Sequence, residues 1–181
     1  MIRFAVEGDL PQILEVYAPY VLNTAYSFEY TVPTLEVFTQ RFRDITALLP
    51  WLVWEEDGRV LGYAYAGPFK QRAAYDWGVE TSIYVSKDAR GRGIGKRLLD
   101  SLEEALRRQN ILNANACIAV PGDKEDQYLT FDSVHFHEKM GYLTVGTFHN
   151  CACKFDRWYN MIWMEKMLGG HNVPPAPVIP F

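Results

Sequence analysis

Ile94, Leu98, Leu102 and Leu106 recur every four residues, Leu99 and Ala105 widen the same stripe, and charged residues fill the gaps. That spacing predicts an amphipathic helix starting after Gly93 and packed along one face. The runs WGVETSIYV (77–85) before it and ILNANACIAV (111–120) after it read as strands. Strand, helix and strand joined by short connections predict a right-handed βαβ unit with parallel strands. Upstream, IRFAV (2–6) reads as a strand. Asp9, three residues before Gln12 and followed by Pro11 in the first turn, predicts a capping-box start to a helix running through Tyr17, which Pro19 is expected to kink or interrupt. Thr34 is expected to cap a second helix carrying Leu35, Phe38, Phe42 and Ile45 at helical spacing, closed by Pro50. In WLVWEEDGRVLGYAYAGPF (51–69), Asp57-Gly58 between two β-rich runs marks a hairpin. A short helix from Ser133 to Met140 is expected to stop at Gly141 in a left-handed cap. YLTVGTFHN (142–150) and RWYNMIWMEKM (157–167) read as an antiparallel pair. The tail NVPPAPVIPF (172–181) reads as an extended arm.

Composition narrows the class. The chain has 181 residues, of which 49% are hydrophobic, enough for one compact α/β domain and too few to require two. Residues 1–168 are read as that domain and 169–181 as a proline-rich extension. A net charge of −4 gives no general attraction to a phosphate backbone, so a nucleic-acid partner is not expected. Neither a basic-then-apolar leader nor an apolar run of about eighteen residues occurs, so secretion and membrane insertion are not indicated. Cys117, Cys151 and Cys153 are odd in number, and the last two are too close for a relaxed bridge, which fits a reducing, cytoplasmic setting.

Between the strand signal at 77–85 and the body of the long helix lies Arg90-Gly91-Arg92-Gly93-Ile94-Gly95-Lys96. A glycine-rich turn at a helix N-terminus gathers backbone N–H groups around one point, and the helix dipole adds positive potential there, so the position suits phosphate. A Walker A loop ending at Gly95-Lys96 would need glycine at Arg90 and a hydroxyl at Arg97. The dinucleotide pattern would need glycine at Lys96 or Leu98. Both patterns fail, which leaves R-x-x-G-x-G, written by Arg90, Gly93 and Gly95.

This motif resembles the pyrophosphate loop of the GNAT acyltransferase superfamily, which holds the diphosphate of coenzyme A. PWLVWEEDGRVLGYAYAGPF, AYDWGVETSIYVS, VHFHEKMGY and the proline-rich ending resemble, in the same order, segments of its phosphinothricin and methionine sulfoximine N-acetyltransferase branch. The resemblance implies one α/β domain whose mixed central sheet holds a splayed parallel strand pair flanked by helices. It further implies acetyl-CoA as cofactor, a small amino-acid-like amine as acceptor, and a homodimer. On it, the backbone of Ile83, Tyr84 and Val85 lies alongside pantetheine, Gly91 to Lys96 cradle the diphosphate, and Arg92 and Lys96 add charge. Ser133 contacts the cofactor, or serves only as a helix cap. The branch carries Asn where this chain has Thr130, and its loop is shorter and less acidic than PGDKEDQYLTF (121–131), so the cofactor contact from this loop is open.

Transfer of acetyl from a thioester to an amine needs the ammonium deprotonated, the amine placed and the departing thiolate protonated. Glu80 interrupts an otherwise apolar strand, where an unpaired carboxylate is costly, and a desolvated glutamate serves as a base. The resemblance places it at the catalytic carboxylate; pairing with Arg72 is the alternative. His137 falls where the branch carries a histidine suited to protonating the thiolate. Arg72 resembles a grip for an acceptor carboxylate, and Phe28 and Glu29 match the substrate-facing loop. Tyr75, Trp77 and Trp158 fit pocket walls or core packing. A zinc site on His135, His137, Cys151 and Cys153 has unusual one-residue gaps, and no metal is expected. Acetylation of a protein N-terminus or lysine, and non-catalytic acyl-CoA binding, remain alternatives.

Overall fold

Side chains alternate across a strand, so the apolar residues of one sheet sort onto two faces, and each face calls for its own cover. The computed structural model describes residues 1–122 and 124–181; Asp123, in the acidic loop singled out above, lies outside the described residues. In chain order the elements are β1 (Ile2–Phe4), α1 (Leu10–Asn23), α2 (Leu35–Thr46), β2 (Trp51–Glu56), β3 (Arg59–Pro68), β4 (Gly78–Val85), α3 (Ile94–Arg108), β5 (Asn113–Val120), α4 (Asp132–Lys139), β6 (Leu143–Lys154) and β7 (Arg157–Met167). The strands form one sheet in the order β1-β2-β3-β4-β5-β7-β6. β4 and β5 run parallel, and the other neighbours pair antiparallel.

One face carries Ala64, Ala66, Val79, Ala114, Ala116 and Met164 against the Leu98, Leu102 and Leu106 stripe of α3. The opposite face carries Trp51, Val53 and Tyr63 against Ile13, Tyr17, Phe38 and Phe42 of α1 and α2. The βαβ unit β4-α3-β5 and the β6-β7 pair follow the hydrophobic pattern. Thr34 caps α2 by accepting from Val37 N–H at 3.3 Å. Asp57 (φ 51°) and Gly58 (φ 76°) turn the β2-β3 hairpin, and Gly141 (φ 87°) ends α4 in the left-handed region.

Three local expectations are corrected. Asp9 does not cap α1: its carboxylate accepts two bonds from Arg3 at 2.7 Å and one from Val6 N–H at 2.8 Å, closing a 3-10 turn over Glu7–Asp9 instead. Pro19 does not interrupt α1, which runs on to Asn23. A proline inside a helix costs about 3 kcal/mol, whereas Ile13, Val16, Tyr17 and Val21 are buried on either side of it, each contributing roughly 1.5–3 kcal/mol. Ser133 lies inside α4, whose N-cap is Phe131. The tail has neither helix nor strand but is docked. Trp77 Nε1–H donates to Ala176 C=O at 2.7 Å, Ile179 N–H donates to Gln109 C=O at 2.9 Å, and Phe181 packs on Phe4 at 4.7 Å. Among the described residues, no helix is long and apolar enough to cross a membrane.

Candidate active site

β4 and β5 pair only at Gly78–Asn113, Val79–Ala114 and Glu80–Asn115. At that last rung side chains replace the ladder: Thr81 Oγ1–H donates to Asn115 C=O at 3.2 Å, and Asn115 Nδ2–H donates to Val79 C=O at 3.0 Å. Beyond it, β4 stays with β3 as far as Val85 and β5 stays with β7 as far as Val120, so the sheet opens between them. The opening is a cavity of 480 Å³ walled by β4, β5, the loop 89–96 and α4.

Hydrogen bonds alternate in direction along a strand. Ser86 N–H donates to Leu61 C=O on β3, so Tyr84 turns its backbone toward β3, while Ile83 and Val85 turn theirs toward the opening. Of the three expected strand-edge residues, Tyr84 lines the cavity but turns its backbone to β3, and its ring packs on Tyr17 and Tyr20, each at 5.0 Å. At Val85 the Tyr20 hydroxyl donates to C=O at 2.6 Å and accepts from N–H at 3.2 Å. Sequence reasoning missed Tyr20, which lines the cavity from α1; only the fold brings it to β4.

The loop before α3 is built by glycine. Gly91 (φ 75°) and Gly93 (φ 77°) occupy the left-handed region, and a Cβ at either would meet nothing, so conformation rather than space requires glycine. The first backbone bond of α3 is Arg97 N–H to Gly93 C=O, which leaves the N–H groups of Ile94, Gly95 and Lys96 outside the helix ladder. Gly95 differs. A Cβ there would stand 3.5 Å from Phe136 and 3.7 Å from Ile83, both of which line the cavity, so its missing side chain keeps that space open.

The basic residues diverge. Arg90 lines the cavity with its guanidinium 5.1 Å from the Tyr20 ring. Arg92, expected at the diphosphate, is held on the far side by Glu56 at 2.6 Å and 2.8 Å. Lys96 lines the cavity, with Nζ on Asp100 at 2.6 Å. Ser133 and His137 face the cavity from α4. Thr130 Oγ1 is instead 2.6 Å from Tyr26 OH and does not line the cavity.

His137 is 4% exposed. Its Nδ1 lies 2.7 Å from Ser133 C=O, and a carbonyl only accepts, so Nδ1 carries the proton and the neutral ring offers Nε2 as an acceptor. Burial lowers its pKa, partly opposed by the Ser133 bond and the charge of Glu103. The geometry thus presents Nε2 as an acceptor, and the donor role that the resemblance implies would require the ring to take up a second proton, which burial disfavours. Glu80 is half-buried at the last paired rung, and no ion pair with Arg72 or any other described residue engages it. Burial raises its pKa, and the charge of Lys70 opposes the rise.

Arg72 is exposed ahead of a 3-10 turn and lines neither described cavity. Lys70, which sequence reasoning missed, lies 4.9 Å from the Phe69 ring and 5.4 Å from the Trp163 ring. With Tyr75 and Trp77 it lines a second cavity of 830 Å³ that reaches Asn115, the β5 residue beside Glu80. Trp158 is exposed near the start of β7, opposite Cys153 of β6, rather than in either wall. Phe28 packs with Ala25, Ala119, Leu129 and Tyr159. Glu29 Oε1 accepts from Arg41 at 2.7 Å, while its buried Oε2 has no hydrogen-bond partner among the described residues. No three His, Cys, Asp or Glu side chains among the described residues converge to hold a metal; Cys151 Sγ faces Tyr159 C=O at 3.8 Å.

A sheet opened between parallel strands, with a glycine-built helix N-terminus beside the opening and, at the rung where the strands part, a carboxylate without an ion pair among the described residues, is the architecture of an acyl-carrier-dependent transferase. The acetyltransferase (GNAT) domain model matches residues 2–163. A phosphinothricin N-acetyltransferase of Streptomyces viridochromogenes is 31% identical over 179 residues, covering 99% of this chain and 93% of that protein. An L-methionine sulfoximine/L-methionine sulfone acetyltransferase of Salmonella typhimurium is 31% identical, covering 97% and 98%. The crystal structure of a GNAT superfamily phosphinothricin acetyltransferase from Sinorhizobium meliloti in complex with AcCoA superposes with a TM-score of 0.85 at 35% identity, over 93% of this chain and 88% of that one. The chain belongs to the GNAT acetyltransferase family and is an N-acetyltransferase whose acyl donor is acetyl-CoA. The residues present fit that donor: the Gly95 cradle would be filled by a single Cβ, and the edge of β4 is open where a neighbouring strand is missing.

Proposed function

We propose that the chain acetylates the amine of a small amino-acid-like acceptor of the phosphinothricin, methionine sulfoximine or methionine sulfone type. The observation that carries this reading is Glu80: half-buried, without an ion pair among the described residues, at the point where β4 and β5 part. Bound acetyl-CoA supplies the acetyl group as an activated thioester. The N–H groups of Ile94, Gly95 and Lys96, with Arg90 beside them, hold its diphosphate, and the backbone of Ile83 and Val85 orients its pantetheine arm. At Val85 the Tyr20 hydroxyl yields or shares its bonds. Ser133 flanks the same channel. Glu80 takes the proton from the acceptor's ammonium, directly or through water, and its raised pKa matches that task. As the acceptor's C–N bond forms and the thioester C–S bond breaks, the proton shed by the acylated nitrogen goes to the departing coenzyme A thiolate, while His137 keeps its own proton at Nδ1 and accepts at Nε2.

Lys70 supplies positive charge for an anionic acceptor group, with Tyr75 in the same wall. Arg72 reaches the acceptor only by swinging in from solvent. Phe28 and Glu29 face the acceptor from the segment after α1, and the packing of Phe28 supports a small acceptor over a protein chain. A homodimer is supported by the apolar side chains exposed on β6 and β7: Leu143 at 72%, Val145, Phe148 and Trp158 at 62%. The three free cysteines and the need for acetyl-CoA support a cytoplasmic setting. The deciding experiment measures thiol release from acetyl-CoA against a panel of phosphinothricin, L-methionine sulfoximine, L-methionine sulfone, common amino acids and peptides. Turnover is expected with the first three. Turnover confined to peptides, or coenzyme A binding with no turnover, would overturn the reading.

A further inference from the structure

Lys154 ends β6 and is 3% exposed, yet no carboxylate pairs with it among the described residues. Its ammonium donates instead to three main-chain oxygens: Val21 C=O at 2.7 Å, Thr24 C=O at 2.8 Å and Ser27 C=O at 2.6 Å. An ammonium has three donors, and all are used. Val21 lies in the last turn of α1 and Thr24 is its C-cap, so the charge also meets the negative end of the helix dipole. Ser27 directly precedes Phe28 and Glu29. Its hydroxyl is 2.7 Å from Tyr17 OH and accepts Glu29 N–H at 3.3 Å. Beyond Glu29, the Tyr30 hydroxyl donates to Cys153 C=O, so β6 grips the segment on both sides of Phe28-Glu29.

The hairpin that carries Lys154 is itself held in place. Its two turn residues, Phe155 (φ 53°) and Asp156 (φ 56°), are left-handed without glycine, a strained choice for a bulky aromatic. Phe155 stacks on Tyr128 at 4.1 Å, and Arg157 donates to Asp126 at 2.9 Å, both partners lying in the loop before α4. A buried charge and a strained turn are both costly, and both converge where the hairpin meets the segment after α1.

We propose that Lys154 is a positioning residue for acetyl transfer: through three main-chain hydrogen bonds it sets the path of residues 24–30, and so the placement of Phe28 and Glu29 against the acceptor. This rests on the acceptor reading above. Lys154→Met keeps the stem and removes every donor. With acetyl-CoA and L-methionine sulfoximine, the acceptor KM is expected to rise about tenfold and kcat to fall less, while coenzyme A affinity by calorimetry stays within about twofold. Amide exchange at Ala25, Tyr26 and Glu29 is expected to accelerate in the variant. A folded Lys154→Met enzyme with unchanged acceptor KM and unchanged exchange overturns the proposal and leaves the acceptor reading standing. If the variant does not fold, the wild-type enzyme decides: protected amides at these positions are expected, and free-loop exchange there overturns the latch. A wild-type enzyme that binds coenzyme A without acetylating methionine sulfoximine would count against the acceptor reading instead, and the exchange measurement would still decide the latch.

Discussion

A carboxylate at residue 80 loses hydration to the sheet around it and recovers only part of the loss from the charge of Lys70, so its proton is held more tightly than on a solvated glutamate. A base works only when deprotonated, so turnover is expected to rise with pH through the elevated Glu80 pKa and to fall away below it. Glu80→Gln is expected to lower kcat about a hundredfold or more near pH 7 and to flatten that acid limb, as read in a kcat–pH profile. Lys70→Met removes the opposing cation, and the limb is expected to move to higher pH. Glu80 stood out in the sequence as a charged residue inside an apolar strand, and the family resemblance made it the proposed base. Lys70 did not stand out, because an exposed lysine after a strand resembles any solvated one, and only the fold lays it over Phe69 and Trp163. Arg72 shows the reverse case: its residue type suits a carboxylate, and the fold leaves it exposed ahead of the 3-10 turn, so its role as a grip rests on the resemblance.

The strand-to-helix junction can be tested as an element, separately from the chemistry. Gly93 is the N-cap of α3 at φ 77°, where an L side chain costs about 1–2 kcal/mol. Gly93→Ala is expected to weaken coenzyme A binding about tenfold by calorimetry, while Leu98, Leu102 and Leu106 keep α3 packed and far-UV circular dichroism unchanged. A Gly93→Ala enzyme with undiminished coenzyme A affinity would show that the junction is not the diphosphate cradle. Elements with a long apolar period, α3 and β5 above all, could be read from sequence because periodicity reports the buried face. Caps were less legible. Asp9 has the right residue type at the right spacing for a cap, yet Arg3 on β1 captures its carboxylate, and that competition is tertiary.

At the scale of the whole molecule, the sheet edge at β6 leaves apolar surface uncovered. Phe148→Glu places a charge in that surface and is expected to shift the proposed dimer to monomer in sedimentation velocity, with the far-UV spectrum unchanged. A monomeric wild-type chain at micromolar concentration would remove the dimer. The periods of apolar residues, the glycines at 91, 93 and 95 and the order of the motifs determined which segments are helix and strand. They also marked the loop proposed to hold phosphate and the carboxylate proposed as the base. Those are local properties, set by backbone conformation and by which side of an element is apolar. Only the tertiary structure decided that β4 and β5 part after Glu80, that Tyr20 meets Val85, that Arg92 turns away to Glu56, and that Lys154 reaches across to the end of α1. Each of these depends on contacts between residues far apart in the chain, which no local pattern encodes.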